Sequence, residues 1–148
     1  MNIPSEIRAG DTVKWRDQAT ADVFENVIDS SSWTLKYFLR TNGDGEGHTS
    51  TGTAYEDGWE FNISATDSAL FDAGDWFWQA IASKGSEKIT IGYGNLKVEA
   101  ALEYAGTPGA FDGRSQAKKD LEAVQAAIRA LIAGGAVQEY KIGNRNLK

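Results

Sequence analysis

The sequence contains no cysteine, which excludes disulfides, thiolate zinc sites and cysteine nucleophiles and leaves the redox compartment open. It contains no uninterrupted apolar run of about 18 residues, so no membrane-spanning helix is expected. Its opening residues, MNIPSEIRAGD, hold no apolar core behind a basic flank, and no secretory signal is expected from them. Histidine occurs once, as His48. Basic residues are scarce over positions 1–113, where 8 Lys and Arg face 18 Asp and Glu, a net charge of minus ten. A phosphate backbone needs a basic footprint, so neither sequence-specific nucleic-acid binding nor a membrane surface is expected as a partner. No G-x-S-x-G elbow, P-loop or dinucleotide fingerprint occurs, and Gly92-Tyr93-Gly94-Asn95 lacks the spacing of the last.

What is present is a sizeable apolar fraction, 41% of 148 residues, enough for one core of ordinary size plus an appendage. Asp11 to Arg16 alternates Val13 and Trp15 with polar neighbours, the period of a half-buried strand. Val23 to Ile28 is a weaker strand or turn region. Ser32 to Thr41 places Trp33, Leu35, Tyr37 and Leu39 on one face, and Phe38 on the other. After the Gly-rich break at 42–47, Thr51 to Tyr55 and Trp59 to Ile63 resume the alternation as an antiparallel meander. Ala69 to Asp75 reads as a turn feeding a strong strand, Trp76 to Ala82, whose two faces both carry bulky groups, as in a central strand. A final pair of strand segments is expected, Ile89 and Ile91, then Leu96 and Val98, with Gly92 and Gly94 marking a bulge. About seven short strands without an intervening helix point to an antiparallel β-sandwich of immunoglobulin or fibronectin type over residues 1–103.

Residues 104–113 are a linker rich in Gly and small side chains, and 114–148 form a different kind of segment. There the charge turns to plus four, from 7 Lys and Arg against 3 Asp and Glu. Ala117, Leu121, Val124, Ile128, Leu131 and Ile132 recur at helical steps and share one stripe. Ser115 or Asp112 is expected to cap the helix, and Gly134-Gly135 to end it. Val137, Tyr140 and Ile142 then lead into the turn Gly143-Asn144-Arg145, with Leu147 opening a return strand of a short hairpin. Such an appendage cannot bury its own stripe, since helix stability in proteins comes mostly from packing against something else. Its residues Arg114, Lys118, Lys119, Leu121, Ile128, Arg129, Ile132, Tyr140, Ile142 and Arg145 are therefore the candidate partner-binding set.

Chemistry has weaker candidates. His48 stands in a Gly-rich loop with Asp44 and Glu46, but calcium loops use more oxygen ligands at set spacings, and zinc sites more nitrogen or sulfur. A polar loop using Gly for positive φ explains it better, so no metal or cofactor is expected. The carboxylates Glu56, Asp57, Glu60, Asp72 and Asp75 are abundant rather than patterned, and no enzyme activity is expected. Trp15, Trp33, Trp59, Trp76 and Trp78 take inward strand positions, which favours core duty over a sugar-stacking platform. The Asn62-Ile63-Ser64 sequon reads as incidental.

The tail resembles the head-to-tail joining protein W family of lambda-like phages, in which a helix, a small hairpin and a second helix follow one another. The resemblance is carried by AVQAAIRALIAGG (123–135), VQEYKI (137–142) and GNRNLK (143–148), about a quarter of the chain. The family's second helix has no counterpart here, so a partner or further residues would have to complete the fold. The larger part, with its WTLKYFLR, FDAGDWFWQA and ITIGYGNLKV runs, resembles immunoglobulin-like sandwiches of phage virion proteins. Together the resemblances imply a non-enzymatic virion structural protein assembled in the host cytoplasm, at the head-to-tail connector. Its partners would be portal, capsid or tail proteins, and it would be a homo-oligomer in the assembled particle. Capsid decoration, and outside phages a carbohydrate-binding or adhesin module, are the alternatives.

Overall fold

The computed structural model describes the backbone of residues 1–146 and side chains up to residue 134, and it divides into two compact units, Met1–Glu103 and Tyr104–Lys148. The first is a mainly β sandwich of immunoglobulin type, and a helix follows it in the chain.

Five strands form the larger sheet: β1 (Glu6–Arg8), β5 (Thr34–Arg40), β6 (Gly47–Thr51), β9 (Gly74–Lys84) and β10 (Glu87–Glu99), in the order β1-β10-β9-β5-β6. Three form the smaller: β2 (Val13–Asp17), β7 (Thr53–Tyr55) and β8 (Gly58–Ile63), in the order β2-β8-β7. Division into two packed sheets is that of a β-sandwich. One pairing departs from the expected antiparallel pattern, because β1 runs parallel to β10 with Ile7 opposite Val98. The opening residues are thus an edge strand. The expected final pair of segments is instead one long strand, β10, carrying its bulge between Thr90 and Gly92. A short helix, α1 (Ala65–Ser68), interrupts strands expected to have no helix among them, and the expected turn follows it at 69–73; Ser64 Oγ accepts its Asp67 N–H at 3.1 Å, and Ser68 Oγ donates to Asp11 O at 2.6 Å.

Alternation decides what is buried. Leu35, Tyr37 and Leu39 from β5, with Trp76, Ala80 and Ala82 from β9, meet Val13, Trp15, Trp59, Phe61 and Ile63 from the smaller sheet. No disulfide joins the sheets, and aromatic rings occupy their centre. Trp15 and Phe61 are directly opposite across β2 and β8 and stack at 4.8 Å, while Tyr37 meets Trp15 at 5.2 Å and Phe61 at 4.8 Å, edge on. Such contacts add to the burial energy of each ring. The Tyr37 hydroxyl donates to the buried Asp17 carboxylate, whose other oxygen accepts from the Asn2 amide at 2.6 Å. Burial first, then the hydrogen bond and charge of Asp17, hold the Tyr37 hydroxyl well above its ordinary value of 10.0. Gly58 is required beside this pair, because a Cβ there would lie 2.1 Å from Asp17 O.

The second unit carries α2 (Gln116–Asn146). The helix does not stop at Gly134-Gly135, so over 137–146 the expected strand and turn are helical; the proposed return strand at Leu147 lies outside the described residues. A helix closes its backbone hydrogen bonds within itself, whereas an isolated two-stranded hairpin is marginal in water. Extending a formed helix also avoids a second nucleation, which offsets the cost of about 1 kcal/mol per glycine.

Tyr37→Phe leaves the buried Asp17 carboxylate without the Tyr37 donor and with the Asn2 amide remaining, and urea unfolding should show a loss of roughly 1–3 kcal/mol. Because the folded-state value of Tyr37 is raised, its contribution is complete below the ordinary tyrosine pKa of 10.0 and is lost as pH rises above it. The gap between the parent and Tyr37→Phe should therefore narrow from pH 8 to pH 11; a gap that stays constant contradicts this role.

Candidate docking surfaces

The start of α2 is fixed by local polar contacts. Ser115 caps it, its Oγ accepting from the Lys118 amide at 3.2 Å and its carbonyl from the Lys119 amide at 3.0 Å. Asp112 does not cap the helix; it grips Arg114, accepting from the Arg114 amide at 3.1 Å and from the guanidinium at 2.8 Å. The Arg114 hydrogen bonds hold the Asp112 carboxyl well below the usual carboxylate range. Arg114 also pairs with Glu122, and Lys119 stands 3.7 Å from Asp112. Two of the expected partner-binding cations therefore hold their own helix. Lys118 and Arg129 are in none of the ion pairs found among the described residues.

The apolar stripe is where the spacing places it. Leu121, Val124, Ile128, Leu131 and Ile132 are 50–71% exposed. An aligned row of large apolar side chains left half open to water is a surface that association would bury. Tyr140, Ile142 and Arg145 lie on α2 rather than on a hairpin, and their side chains fall outside the described residues.

On the sandwich, His48 belongs to β6 opposite Leu39, with its ring 5.4 Å from Phe71. Asp72 lies near Glu46 and raises its carboxyl pKa, chiefly through a shared hydrogen bond. Among the described residues no three His, Asp or Glu side chains converge as a metal site would require. Trp15, Trp33, Trp59 and Trp76 are buried and Trp78 is partly so; they form core, not a stacking platform. A groove of about 810 Å³ lies against the smaller sheet, lined by Lys14, Arg16, Thr51, Thr53, Glu60 and Asn62. Arg16 there is occupied, 3.2 Å from Glu60 and 3.7 Å above the Tyr55 ring.

Two exposed apolar features of the sandwich are only partly visible in the periodicity. A small hairpin, β3 (Thr20–Ala21) with β4 (Val27–Ile28), projects Val23 and Phe24 into water at 91% and 81% exposure. Asp22 shapes its tip, its carboxylate accepting from the Phe24 and Asn26 amides at 2.8 and 2.9 Å and from the Asn26 side chain at 2.9 Å. These bonds hold the Asp22 carboxyl below its ordinary value, the Asn26 side chain contributing most. Glu25 takes positive φ, 65°, to close the turn. The usable signal was charge: no Lys or Arg occurs between Arg16 and Lys36. The second feature is the outer face of the larger sheet, where Phe38, Phe77 and Tyr93 are exposed around Gln79.

No family model matches this chain, and none of the curated proteins matches it.

Ser115→Ala removes the cap and should cost the helix about 1 kcal/mol. The expected result is faster amide exchange at Lys118 and Lys119 with the sandwich amides unchanged; protection equal to the parent's would show that Ser115 does not cap.

Proposed function

We propose that this chain is a non-enzymatic structural protein of a phage particle, built into the head-to-tail connector, with α2 as the element that docks it. The observation that carries the reading is the exposed stripe from Leu121 to Ile132, five large apolar side chains in one row on a helix that also carries Lys118 and Arg129. Burying such a row is the main favourable term in association, at about 25 cal/mol per Å² of apolar surface. The cations set orientation and encounter rate rather than depth of binding. The resemblance of the tail to the joining family supports the location, through the Ala-rich helix; its strand and turn are helical here. Portal, capsid or tail proteins are the partners, and the chain is present in several copies in the assembled particle. Capsid decoration uses the same docking element on a different surface, so the partner preparation distinguishes the two.

The full chain should be retained by purified portal preparations, and the triple variant Leu121→Asn, Ile128→Asn, Ile132→Asn should lose that retention while keeping the unfolding midpoint of the sandwich. Retention by capsids and not by portals would move the protein to decoration. Equal retention of the triple variant would end the docking role of α2.

A further inference from the structure

The hairpin formed by β3 and β4 is an unusual use of exposed surface. Val23 and Phe24 are large, apolar and almost wholly solvated, on a backbone that is hydrogen-bonded across the turn. The Asp22 carboxylate fixes the two amides across the tip, and the Asp22 amide donates to Asn26 O at 2.9 Å. A tip with few conformations loses little entropy when it docks, and aromatic side chains such as Phe are enriched at the cores of interfaces. Its surroundings are acidic, with Asp22, Glu25 and Asp29 and no cation between Arg16 and Lys36. Whatever receives it should be apolar at the centre and basic at the rim.

The same chain carries a surface of that description. On the outer face of the larger sheet, Phe38 stands across from Gln79, and Phe77 and Tyr93 adjoin the same residue on β9 and β10. Phe38 and Phe77 are 42% and 40% exposed, and Tyr93 is 82% exposed. Lys36 and Arg40 flank Phe38 on β5. The acid on this face of β9, Asp75, is two residues before Phe77, towards the end of the strand.

We propose that the Val23–Phe24 hairpin of one copy docks on the outer face of the larger sheet of a second copy, with Glu25 towards Lys36 and Arg40. Hairpin and face are different patches, so the contact is head to tail: each copy gives its hairpin to one neighbour and its face to another. A contact of this kind builds a ring when the rotation closes and a filament when it does not. It uses no residue of α2, so it stands or falls separately from the docking role of that helix.

Sedimentation velocity on the full chain over a range of concentrations tests it. The parent should associate as concentration rises, and less so in high salt. Phe24→Asp, a change at a solvated tip, should raise the dissociation constant by about tenfold or more, the scale of a lost aromatic anchor. Phe38→Asp should do the same from the other side; if it unfolds the sheet, Arg40→Glu serves as the face variant. Mixing the hairpin variant with the face variant should give a one-to-one dimer and nothing larger, because one intact hairpin and one intact face remain. A parent that stays monomeric throughout, a Phe24→Asp variant that associates as the parent does, or a mixture that does not pair would each overturn the proposal.

Discussion

The sandwich depends on how its two sheets are joined without a disulfide. Tyr37 on β5 does this, its ring edge-on to both Trp15 and Phe61 of the opposite sheet and its hydroxyl bound to Asp17 at the end of β2. The ring supplies apolar area and geometry, and the hydroxyl satisfies a carboxylate that would otherwise be buried at a cost. The Asn2 amide completes the shell of Asp17, which ties the first residues of the chain to the same point. Gly58 lets β8 pass close to the backbone of Asp17 and Gln18, where a Cβ would collide.

With the core fixed in this way, every second residue of each strand is left to face water, and what the chain places there is informative. Most of these positions are polar or charged. Among the described residues, several of the exceptions are grouped, with Phe38, Phe77 and Tyr93 on one sheet face, Val23 and Phe24 on one hairpin, and the stripe of α2, while Leu70 and Tyr104 are among those that stand apart. Apolar side chains displayed in groups suit a component that is held by others. The charge division follows the same logic, with an acidic sandwich and a basic tail favouring particular encounters.

The inward faces were legible because period two is a strict rule: Trp15, Leu35, Tyr37, Leu39, Phe61 and Trp76 are all buried as their spacing requires. The helical stripe was legible for the same reason at period 3.6. The end of α2 was not, because Gly134-Gly135 and Gly143-Asn144-Arg145 are turn signals only when a competing helix is weak, and here a formed helix continues through them. Ser68 and Asp17 escaped because a buried polar residue has no periodic mark; its partners come from distant parts of the chain. The hairpin at Val23 and Phe24 registered only as a weaker strand or turn region, because each of its strands is two residues long, too short for alternation to show.

The central claim is that the chain is an assembly component held in a phage particle. Electron cryomicroscopy of intact particles of the phage that encodes it tests this most directly. The expected map shows copies of the two-sheet sandwich ringed at the junction of head and tail, with a helix matching α2 seated against the neighbouring ring. Particles that are complete and infective yet contain no density for the sandwich at any position would contradict it.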